Sequence, residues 1–289
     1  MIQYSIMRTL SPKEFPRRLR EIPDPPEKLW VEGALPPETH KWLAVVGSRR
    51  YSHYGKEACE KLIAGLYGRP VVVVSGLALG IDGIAHRAAL EAKLPCVAVP
   101  GSGISRKVLH PVANRALADA IVAAGGALLS EFPPDFRATL YSFPQRNRVM
   151  AGLADAVLVV EAEKKSGTLI TARLASEYNR DVLTVPGSIF SGATEGPHLL
   201  MRLGATPVRT AEDLLGALGF SPEETESSAN RYEDCSAEEI KILELLTIPM
   251  ERDALIAAAK LPVSKTNAVL SLLEIKGFIS ESMGEVHLK

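Results

Sequence analysis

Short, continuous apolar runs alternate with segments of helical length from about residue 42 onwards. The apolar runs are Leu43–Val46, Val71–Val74, Val97–Val99, Ala127–Leu129, Ala156–Val160 and Val182–Val185. Most are rich in Val, as expected for strands buried on both faces of a parallel sheet. The intervening segments Lys56–Leu66, Ile81–Ala92, Asn114–Ala124 and Leu169–Tyr178 are predicted to be helices. This alternation predicts an α/β fold, a Rossmann-like doubly wound domain with a mostly parallel sheet.

A second, smaller domain is predicted at the C-terminal end. Ser236 and Glu239 form a capping box that opens an apolar-periodic helix. The helices are predicted over Ala237–Leu246, Arg252–Lys260 and Ser264–Lys276, with a hairpin over Phe278–Leu288. Three helices and a hairpin are typical of a winged-helix-like domain. The predicted organisation is a lead-in segment (1–41), the Rossmann-like domain (42–218), a polar linker (219–235) and the winged-helix-like domain (236–289).

The net charge of −1 hides an uneven distribution. Residues 219–289 hold 7 basic and 13 acidic side chains, whereas residues 1–218 hold 26 basic and 21 acidic ones. The larger part is therefore basic and compatible with a nucleic-acid partner. The third helix of the winged-helix-like domain carries only Lys265 and Lys276 within an acidic segment, which favours a protein contact or a packing role over DNA binding there.

Composition and spacing disfavour several classes of protein. No run approaches the roughly 18 apolar residues of a membrane helix, and the first residues lack the pattern of a signal peptide. Cys59, Cys96 and Cys235 are far apart, so we expect reduced thiols, a cytoplasmic location and no membrane partner. Because zinc-site spacings, a Walker lysine and a nucleophile elbow are missing, the sequence predicts no metal, no cofactor and no catalytic residue.

Loops of Gly, Ser, Pro and charged residues follow nearly every predicted strand, and ligands of open α/β sheets bind at that edge. The first such loop, GSRRYSHYG at 47–55, is not a dinucleotide-binding GxGxxG sequence, and the second strand ends in Ser75–Gly76 without the acid that binds a ribose. A redox NAD enzyme is therefore disfavoured. Arg49 and Arg50 are suited to phosphate oxygens, although solvated surface charge explains them equally well.

Two further loops leave alternatives open. Asp82 and His86 lie four residues apart at a helix start, as an acid/base pair or as a cap with a packed histidine. The latter interpretation is favoured. After the third strand, the Gly101–Ser102–Gly103 turn precedes Asn114 and Arg115. That segment either faces a phosphate chain or is a solvated crossover loop.

The segment FPQRNRVMAG at 143–152 is the most informative. Arg146, Asn147 and Arg148 stand beside Phe143 and close to Tyr141. Basic groups for the backbone and an aromatic ring for base stacking are the usual arrangement for single strands. The alternative is that Phe143 belongs to the core and that one arginine pairs with Glu131 or Glu161. We expect one of the two arginines to be structural.

Ser166, Gly167 and Thr168 lie at a predicted helix start directly after a strand. A helix N-terminus with glycine and hydroxyl groups is a plausible phosphate cradle. An ordinary N-cap accounts for the same residues, because Ser and Thr are favoured at that position.

The order and spacing of these motifs resemble one family. The series is GSR…YG, SGxAxGIDxxAH, PGSG…HPxxN, SExPP…FPxRNRxxAG, EAxxxSGTLxTA and VPG…GxxxLxxxGA. It resembles the DNA-processing protein A family (DprA, also called Smf) over roughly residues 15–216. The acidic tail is similar to the winged-helix appendix that many members carry. His110 departs from the family pattern, which often has Tyr before this Pro.

The resemblance implies a protein that binds single-stranded DNA during natural transformation, protects it, loads RecA recombinase on it and forms a homodimer through the Rossmann-like domain. Carried onto this chain, it implies a DNA site with a floor of Ser166, Gly167 and Thr168. The other implied contacts are Ser48, Arg49, the 101–103 turn, Asn114, Arg115, Phe143, Arg146, Asn147 and Arg148.

Two other classes of function remain open. One is a nucleotide-binding or nucleotide-hydrolysing enzyme of the lysine-decarboxylase-like group, whose members use a PGGxGTxxE motif. The comparable loop here has Ala172 and Arg173 where an acid would be needed, which disfavours hydrolysis. The other is an interaction scaffold that binds proteins alone.

Overall fold

The computed structural model describes residues 7–221, 235–246, 249–282 and 284–288 of the chain. The chain divides into two compact units, residues 1–225 and 226–289. The larger unit contains the predicted Rossmann-like domain, and the smaller unit contains the predicted winged helix.

The larger unit is built on a nine-stranded sheet with the order β1-β2-β6-β5-β4-β3-β7-β8-β9. The strands are β1 (Arg8–Leu10), β2 (Leu29–Gly33), β3 (Lys41–Val46), β4 (Val71–Ser75), β5 (Cys96–Ala98), β6 (Ala127–Ser130), β7 (Ala156–Val159), β8 (Asp181–Thr184) and β9 (Thr206–Pro207). Strands β3 to β9 are parallel, whereas β1 and β2 are antiparallel additions at the β6 edge. The predicted doubly wound, mostly parallel sheet is confirmed.

Helices cover both faces of this sheet. They are α1 (Arg17–Arg20), α2 (His53–Ala64), α3 (Ile81–Glu91), α4 (Arg115–Ala123), α5 (Ser142–Leu153), α6 (Thr168–Glu177), α7 (Glu195–Arg202) and α8 (Ala211–Ala217). One apolar core holds side chains of α2, α3, α4 and α8, and a second core holds side chains of α1, α5, α6 and α7. The sheet therefore separates two cores, which requires strands that are apolar on both sides.

Strand β3 shows why the apolar runs are continuous. Its side chains alternate between the two cores, with Leu43 and Val45 in one and Ala44 and Val46 in the other. All four are buried. A strand of this kind leaves no polar face, so its sequence carries no two-residue alternation.

The sheet reverses its strand order at β3. This strand pairs with β4 on one edge and with β7 on the other. The connection from β3 to β4 runs through α2 on one face, and the connection into β7 runs through α5 on the opposite face. Crossovers that diverge in this way leave a crevice at the carboxyl ends of β3 and β7, the switch point at which open α/β folds bind ligands.

The lead-in segment contributes more structure than its sequence indicated. Beyond α1 it supplies β1 and β2, and β2 pairs along the edge of β6. Helix α1 is joined to the sheet through Asp155, whose carboxylate accepts hydrogen bonds from the Arg18 guanidinium and from the Trp42 backbone N–H, the latter at 2.7 Å. This single carboxylate therefore connects the lead-in helix, β3 and β7.

The C-terminal unit contains the predicted three helices and hairpin. Its helices are α9 (Ala237–Leu245), α10 (Arg252–Ala259) and α11 (Val263–Ile275), and its strands are β10 (Met250–Glu251), β11 (Ile279–Ser282) and β12 (Glu285–Leu288). The strands form a small antiparallel sheet in the order β10-β12-β11. Ile242, Leu255 and Leu273 anchor its own apolar core. Most of the predicted linker, residues 222–234, lies outside the described residues.

The structure bears on two expectations from the sequence, the reduced state of the cysteines and the lack of a membrane-spanning helix. Cys59 and Cys96 are buried and are not joined by a disulfide. Burial raises the pKa of the Cys96 thiol to about 12. Among the described residues, no helix combines the length and the apolar character that crossing a membrane requires.

We expect Asp155→Ala to lower the free energy of unfolding of the larger unit by about 2 kcal/mol, because it leaves a guanidinium and a backbone N–H without their shared acceptor. Urea unfolding followed by tryptophan fluorescence measures this, since Trp30 and Trp42 both belong to that unit. Asp181→Ala, at the exposed start of the neighbouring strand, is the control and should change stability by less than about 0.5 kcal/mol. Equal stability of the two variants would contradict the anchoring role.

Candidate nucleic-acid interface

A cleft of about 390 Å³ lies at the switch point of the sheet. It is lined by residues 46–50 at the end of β3, by one side of α5, by the 163–167 loop after β7 and by the first turn of α6, together with Ala78 and Asp82 around the start of α3. The lining combines charged groups, such as Arg49 and Arg50, with apolar side chains, such as Phe143 and Met150. Part of the predicted site meets here, and part does not.

Arg49 and Arg50 both line this cleft. The turn that carries them is closed by Ser48, whose hydroxyl donates to the Arg50 carbonyl (2.8 Å) and accepts from the Arg50 N–H (3.0 Å). Within the described residues, neither guanidinium has a carboxylate oxygen within 4.0 Å. Their positive charge is therefore available to a ligand, which favours the first of the two interpretations offered by the sequence.

Phe143 lies between Arg49 and the turn after β5. Its ring centroid is 5.2 Å from the Arg49 guanidinium carbon and 5.9 Å from the centroid of the His110 ring. A side chain at Gly101 would overlap this ring, so glycine is what permits the ring to pack there. Phe143 is half-buried and lines the cleft, whereas Tyr141 is 85% exposed at the start of α5 and lies outside the lining.

Arg146 and Asn147 are buried on the inner face of α5. The Arg146 guanidinium donates to the carbonyls of Gly76 (2.6 Å) and Val99 and to the Asn147 side chain (3.1 Å). Burial lowers the pKa of Arg146 to about 10, although nearby Asp82 opposes this shift. Arg146 thus lines the floor of the cleft but is already engaged with the ends of β4 and β5.

Arg148 is engaged elsewhere, because it donates to the buried Glu131 carboxylate at 2.5 Å and lies 3.6 Å from Asp24. This is the alternative raised from the sequence, a pairing with Glu131. The expectation of one structural arginine understates the result, since both Arg146 and Arg148 have partners inside the protein.

Asn114 and Arg115 bind neighbouring backbone and do not line the cleft. The Asn114 amide donates to the carbonyls of Leu77 (2.9 Å) and Ala78 (3.0 Å), and Arg115 donates to the carbonyls of Lys107 and Leu109. Leu77 has a φ of 58°, a left-handed conformation that Asn114 helps to hold. In this structure Asn114 therefore supports the loop after β4.

The turn after β5 is likewise supported from within. Ser102 is buried, and its hydroxyl accepts from the His110 N–H at 3.1 Å. A side chain at Gly103 would overlap the carbonyls of Pro133 and Pro134, so this position requires glycine. Residues 101–103 are not part of the cleft lining. Gly101 contacts the ring of Phe143, which does line the cleft.

Ser166, Gly167 and Thr168 line the cleft opposite Arg49. The Ser166 hydroxyl accepts from the Thr168 N–H (3.2 Å), and the Thr168 hydroxyl donates to the Gly47 carbonyl (3.1 Å). The space beside Gly167 is open. The N-cap of α6 is Gly167, and no side-chain cap hydrogen bond is made there, so the ordinary N-cap does not account for these residues.

Asp82 and His86 are both buried, and Asp82 also lies in the lining of the cleft. Asp82 accepts from the Gly76 N–H at 3.1 Å, and burial raises its pKa. His86 is fully buried, and burial lowers its pKa to about 4. The pair supports the turn after β4 and the core, as favoured from the sequence, although Asp82 binds Gly76 and makes no cap hydrogen bond at the start of α3.

Lys165 and Glu163 also line the cleft and were missed as site residues. Both are exposed. Their only sequence signal was a position between a strand end and the Ser166 turn, which does not by itself distinguish a lining residue from surface charge. Among the described residues, no group of three potential metal ligands occurs.

The family model for DNA recombination-mediator protein A matches residues 6–219, and the model for the DprA winged helix domain matches residues 226–285. The chain belongs to the DNA recombination-mediator protein A family. This confirms the resemblance seen in the motifs.

Individual members of this family are about two fifths identical to the chain over the residues that match. Protein Smf of Escherichia coli (strain K12) is 44% identical over 206 residues, which are 71% of this chain and 54% of that protein. DNA processing protein DprA of Streptococcus pneumoniae is 42% identical over 206 residues, 71% of this chain and 72% of that protein. The matched part thus spans about half of the Escherichia coli relative.

Solved structures of family members share the fold. The structure of DprA from Streptococcus pneumoniae has a TM-score of 0.69 at 39% identity, covering 76% of this chain and 77% of that one. The structure of DNA processing protein A from Helicobacter pylori, described by its single-stranded DNA binding mode, has a TM-score of 0.65 at 28% identity and covers 75% and 97% of the two chains.

The winged-helix domain of this family member is less acidic than the charge of residues 219–289 suggested. Residues 219–235 hold 5 acidic and 1 basic side chain, whereas residues 236–289 hold 8 and 6. In helix α11, Lys265 pairs with Glu238, and the following Lys276 pairs with Glu239 at 2.7 Å. Both lysines therefore contact carboxylates of their own domain.

The buried histidine predicts a pH dependence of stability. The unfolded chain binds a proton at His86 below about pH 6.5 and the folded chain only below about pH 4. The contribution of His86 is therefore full above pH 6.5 and is lost as the pH falls toward 4, by about 2 kcal/mol at pH 5.

His86→Gln, which does not titrate, should lose about 2 kcal/mol less stability than the wild-type protein between pH 7 and pH 5. Urea unfolding at the two pH values measures this difference. Asp82, whose raised pKa gives the opposite slope, is present in both proteins and cancels. Identical pH dependence of the two proteins would contradict the burial of a neutral His86.

Proposed function

We propose that this chain binds single-stranded DNA in the cleft at the switch point, without breaking a bond in it. By its family we further propose that it acts in natural transformation in the cytoplasm, protects the incoming strand, loads RecA recombinase on it and forms a homodimer. The proposed contacts in the cleft are Ser48, Arg49, Arg50, Phe143, Ser166, Gly167, Thr168 and Lys165.

The observation that carries the proposal is the difference between paired and unpaired cations around the cleft. Arg106, Arg146 and Arg148 are all bound by carboxylates or carbonyls. Arg49, Arg50 and Lys165 have no carboxylate within 4.0 Å among the described residues, and they share one cleft. Unpaired cations at the mouth of a cleft favour a polyanion, because binding then requires no internal ion pair to break.

The rest of the lining supports a nucleotide chain. Hydroxyl groups of Ser166 and Thr168 and the first turn of α6 are suited to phosphate oxygens, and the half-buried Phe143 beside Arg49 offers an apolar surface to a base. The volume of about 390 Å³ is that of a small-ligand site, which suits single nucleotide units. The Helicobacter pylori family member, described as binding single-stranded DNA, supports the same substrate class.

The competing proposal of nucleotide hydrolysis has less support. At the positions where hydrolases of the related group use glutamate, Ala172 is buried and Arg173 is exposed and paired with Glu177 at 2.8 Å. Asp82 lines the cleft, but its carboxylate is committed to the Gly76 N–H. Release of free base from a nucleoside monophosphate by the purified protein would reverse this ranking.

Replacing both Arg49 and Arg50 with Ala should weaken binding of oligo-dT by at least about tenfold at moderate salt. If each arginine neutralises one phosphate, the negative slope of log affinity against log salt should become shallower by about 1.4. Fluorescence anisotropy across a salt titration measures both quantities.

Lys61→Ala is the matched control, because Lys61 is exposed in the last turn of α2, away from the cleft. It should leave affinity and slope unchanged. An unchanged slope for the arginine variant would contradict the proposed site. Failure of the wild-type protein to bind oligo-dT would contradict the proposed function.

RecA loading is a separate expectation. The wild-type protein should shorten the lag of RecA filament formation on single strands, and the Arg49/Arg50 double variant should not, because it cannot hold the strand. Filament growth can be followed with a fluorescently labelled oligonucleotide. In a separate measurement, light scattering reports the oligomeric state of this protein. An equal lag with and without the wild-type protein would contradict the loading role.

A further inference from the structure

Glu161 is a buried carboxylate two residues before Glu163, which lines the cleft that we propose for a polyanion. It lies just after β7 and is 1% exposed. Negative charge at such a place opposes DNA binding by simple electrostatics. Its contacts indicate what it does instead.

The Glu161 carboxylate is bound to the start of α2. It accepts hydrogen bonds from the Ser52 backbone N–H at 2.9 Å and from the Ser52 hydroxyl. Ser52 is the N-cap of α2, and its hydroxyl in turn accepts from the Gly55 N–H at 3.1 Å. A side chain at Gly55 would overlap the Glu161 carboxyl group, so glycine at this position gives the carboxylate its place over the first turn.

The first helical turn after a central strand is where Rossmann-like folds receive phosphate groups, because free N–H groups and the helix dipole favour an anion there. In this chain Glu161 already supplies that anion from within the protein. A phosphate from outside would meet this carboxylate there, whereas the cleft is lined by Arg49 and Arg50 and not by Glu161.

The loop that carries the arginines is thereby held at both ends. At one end, Ser52 is bound by Glu161. At the other end, the Ser48 carbonyl accepts from the Ile81 N–H at 3.2 Å, and Gly80 packs so closely on Ser48 that a side chain would overlap it. Only residues 49–51 remain between these two attachments.

We propose that Glu161 is a positioning residue, which holds the 48–52 loop through Ser52 so that the Arg49 and Arg50 guanidinium groups face the cleft. This inference rests on the proposed function. Glu161 itself does not touch the DNA.

The proposal predicts the direction in which replacing Glu161 changes the affinity for oligo-dT. By charge alone, removal of a carboxylate beside the cleft strengthens DNA binding. By positioning, Glu161→Ala weakens oligo-dT binding by about tenfold, the equivalent of one charge-assisted hydrogen bond. Glu161→Gln should stay within about threefold of wild type, because an amide can still accept from the Ser52 N–H and donate to the Ser52 hydroxyl.

Glu57→Gln is the matched control for charge. Glu57 lies in the second turn of α2, is exposed and is not part of the cleft lining. Its replacement removes the same charge without disturbing Ser52, so affinity for oligo-dT should stay equal or increase.

A double-mutant cycle separates positioning from general damage. In the Arg49→Ala/Arg50→Ala background, Glu161→Ala should change affinity by less than about twofold, because the groups that it positions are already absent. A purely structural role would instead weaken binding by the same factor in both backgrounds.

The outcomes distinguish this inference from the proposed function. If the wild-type protein does not bind oligo-dT, the proposed function fails. If the wild-type protein binds and Glu161→Ala binds equally or more tightly, only the positioning role is overturned. Should Glu161→Ala fail to fold, Ser52→Ala replaces it, since it removes one of the two hydrogen bonds to Glu161. It should weaken binding severalfold, and wild-type affinity of a folded Ser52→Ala would overturn the inference.

Discussion

The complete burial of β3 is the constraint on which the remaining structure depends. This strand has a parallel neighbour on each edge and an apolar core on each face. Its backbone groups are paired along both edges, so the chain can change direction only where the strand ends, at residues 47–52. The crossover from it to β4 through α2 and the crossover into its other neighbour β7 through α5 lie on opposite faces, and the cleft is the space between them.

Burial also decides which of the basic side chains are available. A guanidinium removed from water needs acceptors in compensation, and the structure provides them for Arg146 through the carbonyls of Gly76 and Val99 and for Arg148 through Glu131. Arg49 and Arg50 lie on an open turn and keep their charge for a ligand. The arginines available to a ligand therefore differ from the structural ones in their exposure to water.

Two buried carboxylates bind backbone N–H groups near the cleft. Asp82 binds the N–H of Gly76 and Glu161 binds the N-cap of α2, so two sets of backbone donors near the switch point have internal acceptors. Donors that would attract anions into the interior are thereby occupied. The loop ends are fixed at the same time, which lowers the conformational entropy that a ligand would otherwise have to remove.

The sequence by itself determined the fold class and the family. Val-rich runs between helical segments predict a doubly wound sheet, because a strand buried on both faces must be apolar throughout. The order of the motifs identifies the family, and the strand-end loops locate the ligand edge. Strands β1 and β2 were not predicted, because β2 is determined by its pairing with β6 and β1 by its pairing with β2, and not by local pattern.

Only the tertiary structure decided the role of each polar residue in those loops. Arg49 and Arg146 look equivalent in sequence, as basic residues in polar motifs, yet Arg49 is exposed in the cleft and Arg146 is buried in its floor. Asn114 supports a loop 36 residues away along the chain, and Glu161 binds a serine 109 residues away. The solvation and the partners of a polar group depend on segments far apart in the chain, so its local sequence cannot specify whether it binds a ligand or the protein itself.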